Sequence, residues 1–285
     1  FDLTFTADVS VPLLKDVKAQ APHAICELVT TNVSFNLIVN QFKPPFDNAK
    51  IRKAMVMTMD RKAFIDILSE GQNVQGGAMM PPPSGVWGMP PEFLKTVAGY
   101  SSDVAGNRAK ARKIMESLGY GPDNKLKVKV STRNIAVYRD PAVILIDHMK
   151  EIYIDATLDT VETSNWHAKV ARKDYMVGLN LTGIGVDDPD ANFYENYSCG
   201  SQRNYTGYCK PEMEALFEKQ SMMEDQAARK KLVWEIDKKL QEDAARPMIM
   251  HGKAAQCWQP YVKGFVTHVN SIYNNWRMED VWLDK

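Results

Sequence analysis

The sequence predicts an α/β fold with a mixed sheet flanked by helices. Segments with a helical spacing of apolar residues alternate with short segments of alternating polarity, and turn residues separate them. Such an alternation is typical of α/β domains, because the helices cover the faces of a sheet that lies between them. The chain has 285 residues and is 45% apolar, which is sufficient for one large or two ordinary hydrophobic cores.

The first part of the chain predicts a strand, a helix and an extended loop. Residues 35–40 have the composition of a strand. After a proline-rich turn, Asp47 or Asn48 is placed to cap a helix whose apolar positions keep the helical period as far as Gly71. The segment 79–91 contains five prolines and two glycines, so we expect it to be extended.

The second part continues the alternation. Asp140 and Pro141 favour a helix start, because aspartate caps a helix and proline at the first helical position loses no needed donor. That helix is expected to end near Ile152. The other predicted helices cover 107–118, the residues from 164, the residues from 211, and 226–244, and the other predicted strands cover 126–131, 157–161, 175–181 and 247–251.

Charge and hydropathy exclude several classes of protein. Thirty-five lysines and arginines balance thirty-five aspartates and glutamates, so the chain has no bulk positive field, and we expect no nucleic-acid partner. No apolar run approaches the length of a membrane span. The first residues lack the pattern of an export signal, and we expect any such signal to have been removed already.

The four cysteines allow two interpretations. They are too few for a disulfide scaffold, and four buried free thiols would be an ordinary arrangement. Cys199 and Cys209, however, flank a polar, glycine-containing loop that a bridge would constrain. We therefore favour a local disulfide and an oxidising compartment. Cys26 and Cys257 pair only if the two ends of the chain meet, which the sequence leaves open.

Enzyme motifs are mostly absent. The sequence has no phosphate-binding glycine loop, no nucleophile elbow and no H-E-x-x-H, and its five histidines are isolated. The acidic stretch 187–195 supplies the first alternating ligands of a calcium loop when read from Asp188. Phe193 then stands at the glycine position and Cys199 at the final carboxylate position. We interpret the stretch as an Asx turn that caps a helix near Asn192.

Several segments carry a resemblance to a known family. Residues 45–54, PFDNAKIRKA, followed by Met59-Asp60-Arg61, resemble the PFDN-x-x-VR-x-A … DR signature of the family 5 extracellular solute-binding proteins, the peptide- and nickel-binding receptors of bacterial ABC importers. Similar segments follow in the family's order, namely the proline-rich loop 80–88, the helix 109–120, and Asp188-Pro189 with the cysteine loop downstream. The resemblance covers nearly the whole chain.

The resemblance implies a periplasmic binding protein-like fold of class II type, in which two lobes enclose the ligand. Family members are considerably longer than this chain, which resembles their C-terminal portion. Residues 1–29 would then be the end of the first lobe and the crossing segment. Residues 30–260 would form the second, ligand-binding lobe, and residues 261–285 would return toward the first lobe.

The resemblance also implies ligand-binding residues. In dipeptide-binding relatives, an arginine after the strand that precedes a long helix binds the ligand carboxylate, and Arg133 lies at the matching place. A guanidinium is suited to this role because its planar fork binds a carboxylate bidentately. Arg139 is a nearby alternative, and either side chain is equally compatible with a solvated surface. Trp166 matches a family tryptophan and would stack on a ligand, with core packing as the alternative.

The sequence departs from the family at the amine clamp. Peptide-binding relatives show W-x-x-D-x-x-D/E-P, whose first aspartate pairs with the ligand α-amino group. Aligning on Asp188 and Pro189 places Thr182 at the tryptophan and Gly185 at that aspartate. An enclosed ammonium without a carboxylate pays a desolvation penalty of several kcal/mol. Unless Asp187 substitutes, we expect an anionic or neutral organic solute in preference to a free-amine peptide.

These observations favour a non-enzymatic receptor of the bacterial periplasm. It would bind a small peptide-like or anionic solute between two lobes, act as a monomer without cofactor or metal, and deliver the solute to an inner-membrane ABC permease. One rival is a metal-dependent hydrolase that uses Asp187, Asp188 and Asp190 with a histidine. A second rival is an interaction or chaperone module whose partner binding does not depend on Arg133 and Trp166.

Overall fold

A computed structural model describes residues 1–4, 9–269 and 278–285. Its regular elements within those ranges are helices α1 (Val11–Gln20), α2 (Ala49–Thr58), α3 (Arg61–Ser69), α4 (Pro91–Leu94), α5 (Val104–Ser117), α6 (Ala136–Lys150), α7 (Thr163–Ala171), α8 (Pro189–Asn196), α9 (Pro211–Ser221) and α10 (Gln226–Glu242), and strands β1 (Ile25–Val39), β2 (Leu126–Arg133), β3 (Ile154–Val161), β4 (Val177–Gly183), β5 (Met248–Trp258), β6 (Val262–Lys263) and β7 (Trp282–Leu283). None of the described helices is long and apolar enough to cross a membrane.

The main sheet is mixed, as the sequence predicts. Its strand order is β3-β2-β4-β1-β5. Strand β2 runs parallel to β3 and β4, whereas β1 runs antiparallel to β4 and β5. The carboxyl ends of the three parallel strands therefore meet at one edge of the sheet, which we call the carboxyl edge.

Strands β1 and β5 continue beyond the sheet as a two-stranded ribbon. The pairing of β1 with β4 begins at Val33, but the pairing of β1 with β5 extends back to Ile25 opposite Trp258. Cys26 and Cys257 lie opposite each other in this ribbon and form a disulfide with a Cα–Cα distance of 4.1 Å. The two ends of the chain do meet, which answers the question that the sequence left open.

Two hydrophobic cores hold the helices in place. Successive side chains of a strand point to opposite faces of the sheet. Leu37 and Leu179 lie on the face that packs against α2, α5 and α6 and forms the first core. The second core joins α8, α9 and α10 to the proline-rich loop, where Phe193, Phe217 and Trp87 are buried together. Strand β4 leads from the carboxyl edge into α8, which belongs to this second core.

Two helix predictions were wrong in their bounds. The expected single helix up to Gly71 is two helices, because the Asp60 side chain accepts a hydrogen bond from the Ala63 backbone and starts α3 afresh. The helix expected to start at Pro141 starts at Ala136 instead, with the proline inside its first turns. At this place, beyond the first turn, the proline removes one backbone hydrogen bond of the helix and crowds the preceding turn.

Candidate functional site

The carboxyl edge gathers three helix N-termini beside the strands they follow. Helices α6, α7 and α8 start shortly after β2, β3 and β4 respectively. No side chain caps the first turn of α6 or α7, so their leading backbone N–H groups are not bonded by a capping side chain. Ligands of open α/β sheets bind outside the carboxyl ends of the strands, and helix N-termini favour negative charge there. The edge is therefore the candidate ligand surface.

Arg133 ends β2 at this edge. Its Nη1 donates to the Tyr138 hydroxyl at 2.8 Å, its Nε donates to Thr163 Oγ1 at 3.3 Å, and its guanidinium lies 4.6 Å from the Tyr138 ring centre. In the described part of the chain it has no carboxylate partner. The alternative residue, Arg139, is exposed and 3.5 Å from the carboxylate of Asp140. Arg133 is thus half-buried, oriented by neutral groups and uncompensated in charge.

The segment after β4 forms the neighbouring part of the edge. Its backbone is fixed to β1, because the Asn32 amide donates to the Ile184 carbonyl at 2.7 Å and the Ile184 N–H donates to the Asn32 carbonyl at 3.1 Å. Gly185 is exposed, and a Cβ built on it would have no atom within 4 Å. A side chain at position 185 would therefore project into open space without disturbing the fold.

Asp187 connects the edge to the proline-rich loop. Its carboxylate accepts a 2.7 Å hydrogen bond from the Val86 N–H, and its carbonyl accepts one of 2.9 Å from the Trp87 indole. Burial raises the pKa of Asp187 above its usual range, and the hydrogen bond from Val86 offsets part of that effect. The proline-rich loop is mostly irregular, as predicted, and it is held against the edge by these contacts.

Asp188 and Asp190 are bound by a single arginine. Asp188 caps α8 by accepting from the Asp190 N–H, and Arg229 Nη2 lies 3.1 Å from Asp188 and 3.4 Å from Asp190. The Arg229 guanidinium also covers the Trp87 ring at 4.6 Å. Across the described ranges, no three histidine, cysteine, aspartate or glutamate side chains are grouped to hold a metal. The structure does not support the metal-dependent hydrolase, and α8 starts at Pro189, earlier than predicted.

Thr182 points into the lobe rather than out of it. Its hydroxyl oxygen accepts hydrogen bonds from Asn36 and Asn180 at 3.0 and 3.1 Å and from Arg246 Nη1 at 3.1 Å. The Arg246 side chain is 2% exposed. Arg246 was not among the residues predicted from the sequence, although one signal points to it: a single cation interrupts the otherwise apolar run 244–250.

Trp166 is enclosed by the lobe. The side chain is 1% exposed and packs with Ile38, Val170 and Tyr175. A Cβ on Gly178 would lie 3.1 Å from the edge of its indole ring, so glycine in β4 allows this close packing. Of the two alternatives stated for Trp166, this geometry supports core packing, and we leave the residue out of the proposed ligand surface.

The predicted loop disulfide is confirmed. Cys199 and Cys209 are bonded, with a Cα–Cα distance of 4.8 Å. Within the loop, the Asn204 side chain donates to the carbonyls of Ser198 and Tyr208 at 3.0 and 2.6 Å. The bridge and these bonds fix a loop that would otherwise have little to order it.

The chain belongs to the bacterial extracellular solute-binding proteins of family 5. The model described as "Bacterial extracellular solute-binding proteins, family 5 Middle" matches residues 3–204. This match confirms the resemblance drawn from the PFDN and DR motifs.

Individual relatives are distant in sequence and alike in fold. The periplasmic oligopeptide-binding protein OppA of Haemophilus influenzae is 23% identical over 248 residues, 81% of this chain and 42% of that protein. The probable deoxycholate-binding periplasmic protein YgiS of Escherichia coli is 21% identical over 276 residues, which are 94% of this chain and 48% of that protein. A crystal structure of the H. influenzae OppA complex with RPPGFSPFR aligns with a TM-score of 0.82 at 20% identity and covers all of this chain and 54% of its own. The chain thus spans about half the length of these relatives.

Proposed function

We propose that this chain carries the ligand-binding lobe of a periplasmic solute receptor, which binds a small organic solute and delivers it to an inner-membrane ABC permease. Membership of the family and the periplasmic names of the relatives support the class and the compartment. The same relatives are named as binding proteins, which supports a receptor without catalytic activity. A monomer that needs no cofactor is part of the proposal. The named relatives differ in ligand, so the solute must be inferred from this chain's own edge.

We further propose the division of the chain into lobes. Residues 30–260 form the second lobe, and residues 1–29 and 261–285 connect it to a first lobe. The ribbon of β1 and β5 supports this division, because two long strands leave the sheet together there. Helix α1 lies against α3, with Lys15 Nζ 2.6 Å from Glu70 Oε2, so the first segment also touches the second lobe. The coding sequence upstream of Phe1 tests the division, which a short or unrelated upstream region would contradict.

The ligand group held at the carboxyl edge is proposed to be an anion. The observation that carries this proposal is Arg133, a half-buried guanidinium whose hydrogen bonds within the described ranges go to neutral hydroxyls. The uncapped starts of α6 and α7 add to the positive potential at the edge. Gly185 supplies no carboxylate for a ligand ammonium, and the nearby Asp187 is already bonded to the proline-rich loop. A free α-amino group therefore has no evident partner at the edge.

Isothermal titration calorimetry with three matched compounds tests this proposal. Ala-Ala carries an amine and a carboxylate, N-acetyl-Ala-Ala carries only the carboxylate, and N-acetyl-Ala-Ala-amide carries neither. The measurements use the protein encoded by the full open reading frame that contains this chain. We expect N-acetyl-Ala-Ala to bind most tightly. Arg133→Ala should weaken it about thirtyfold or more, because a desolvated anion loses its charge-assisted partner. Arg139→Ala, which removes an exposed arginine close by, is the control.

Position 185 provides the reciprocal test. Gly185→Asp places a carboxylate in open space, so the fold should be retained. We expect this variant to bind N-acetyl-Ala-Ala more weakly and Ala-Ala more tightly than the wild type does. Tight binding of Ala-Ala by the wild type, or equal affinities in Arg133→Ala and Arg139→Ala, would refute an anionic ligand at this edge.

A further inference from the structure

Arg246 is a buried cation without a counter-ion. It stands between α10 and β5, 2% exposed, and its guanidinium donates to three neutral acceptors: Thr182 Oγ1 at 3.1 Å, Asn196 Oδ1 at 2.6 Å and the Arg203 carbonyl at 2.8 Å. Its Nε has no hydrogen-bond partner. The rings of Tyr197 and Tyr205 lie 5.9 and 5.8 Å from the guanidinium carbon. Among the described residues no carboxylate forms an ion pair with it.

A buried ion without an oppositely charged partner costs several kcal/mol, and an apolar residue of similar volume would avoid that cost. The field of Glu195 favours the charged form of Arg246, but its carboxylate forms its ion pair with Arg203 at 2.9 Å. Burial lowers the pKa of Arg246, yet a guanidinium remains protonated in proteins at neutral pH. A permanent positive charge is therefore fixed inside the lobe.

Burial alone does not assign a role, as a second arginine shows. Arg61 is 3% exposed and donates to the carbonyls of Gly99 and Met248 at 2.7 and 2.9 Å, with its guanidinium 3.7 Å from the Tyr100 ring centre. Those contacts join a loop to β5, and none of them reaches the carboxyl edge. Arg246 differs because one of its hydrogen bonds goes to β4 where that strand ends.

The link from Arg246 to the edge is short. Thr182 receives the guanidinium directly and lies one strand away from Arg133, two residues further along, because Ser131 pairs with Gly178 in the parallel β2 and β4. The charge is therefore on the order of 13 Å from an anion held at Arg133, at about 3.3 Å per residue and about 4.8 Å between strands. Asn36 and Asn180 donate to the same Thr182 oxygen, which fixes the carboxyl end of β4 against β1. Because Arg246 is buried, mobile ions screen its field less than they screen that of a surface charge.

We propose that Arg246 is a positioning residue that selects the charge of the ligand: through Thr182 it holds the carboxyl end of β4 and adds a fixed positive potential that favours anionic solutes over neutral or cationic ones. The inference rests on the proposed anion site at the carboxyl edge. Arg133 would contact the anion, whereas Arg246 acts from inside the lobe without contacting it. At about 13 Å and an effective dielectric constant of about 20, Coulomb's law gives about a tenfold effect on affinity for a single charge.

The test is the ratio of the affinities for N-acetyl-Ala-Ala and N-acetyl-Ala-Ala-amide, measured by calorimetry on the protein encoded by the full open reading frame. A general loss of protein stability weakens the binding of both compounds alike, so it leaves the ratio of their affinities unchanged. Arg246→Met should lower the ratio about tenfold, and Arg246→Lys, which keeps the charge, should retain most of it. Arg61→Met removes an equally buried guanidinium that does not reach the edge, and it should leave the ratio as in the wild type.

The outcomes separate this inference from the proposed function. A wild-type ratio near one refutes the anion site itself. A high wild-type ratio that Arg246→Met leaves unchanged refutes only the role of Arg246. If Arg246→Met does not fold, Arg246→Gln removes the charge while keeping a hydrogen-bond donor at this place. We expect Arg246→Gln to lower the ratio about tenfold, and an unchanged ratio in this variant overturns the role of the buried charge.

Discussion

Replacing Asp237 by asparagine should remove a pH dependence of stability between about pH 4 and about pH 6. Asp237 is fully buried on α10 and accepts hydrogen bonds from the Ala78 and Met79 N–H groups at 2.8 and 3.3 Å and from Gln241 at 3.2 Å. Burial raises its pKa to about 6, and these hydrogen bonds limit the rise. In the described residues no cation pairs with this carboxylate.

The sign and size of the effect follow from the raised pKa. The folded state binds the proton of Asp237 more tightly than the unfolded state, whose pKa is 3.8. The stability that this group contributes is therefore fully present below about pH 4 and is lost as pH rises through about 6. The difference between 3.8 and about 6 corresponds to about 3 kcal/mol.

His251 opposes this trend and makes a difference measurement necessary. Its Nε2 is 2.9 Å from the Gly77 carbonyl, and burial lowers its pKa from 6.5 to about 4. The stability that neutral His251 contributes is present above about pH 6.5 and is lost as pH falls toward 4. The wild-type curve is thus flatter than either group alone would produce. Subtracting the curve of the Asp237→Asn variant isolates the carboxylate.

The assay is denaturant unfolding followed by tryptophan fluorescence between about pH 4.5 and about pH 7.5. The free energy of unfolding of Asp237→Asn relative to the wild type should increase by about 2 kcal/mol from the acid to the neutral end, because the rest of the difference lies below about pH 4.5. Asp123→Asn, which removes an exposed carboxylate, is the control for the change in net charge. A difference that stays constant with pH would refute the reasoning, because a carboxylate that titrates alike in both states contributes no slope.

Three further predictions concern the same chain. Thiol titration of the unfolded, unreduced protein should detect no free thiol, because both cysteine pairs are bonded; two reactive thiols would show that one bridge is absent. Gly77→Ala should lower the free energy of unfolding by about 2 kcal/mol relative to Gly121→Ala. A Cβ at position 77 would lie 2.2 Å from the Asp237 carboxylate, whereas one at position 121 would have no atom within 4 Å. Equal stabilities of the two variants would contradict this packing. Arg229→Met should cost about 1 to 2 kcal/mol by urea unfolding, while Lys62→Met, which breaks an exposed ion pair, should change stability by less than about 0.5 kcal/mol; similar losses would mean that the Arg229 contacts contribute little.

The sequence by itself was sufficient for the class of fold, the order of most elements and one disulfide. Helix and strand periods, caps and glycine stops act over a few residues, so they can be read along the chain. Cys199 and Cys209 are 10 residues apart across a polar loop, which makes their pairing a local matter as well. The PFDN and DR motifs placed the chain in its family for the same reason: they are contiguous.

Only the tertiary structure decided which distant residues meet. Cys26 and Cys257 are 231 residues apart, and they face each other because β1 and β5 pair in one register. Arg229 binds Asp188, which is 41 positions away in the sequence. The acidic cluster that the hydrolase hypothesis used as a metal site therefore anchors α8 instead. Arg246 likewise reaches Thr182 across 64 positions. Spacing in the sequence carries no record of such contacts, because strand order and helix packing, rather than local periodicity, determine which side chains share a desolvated interior.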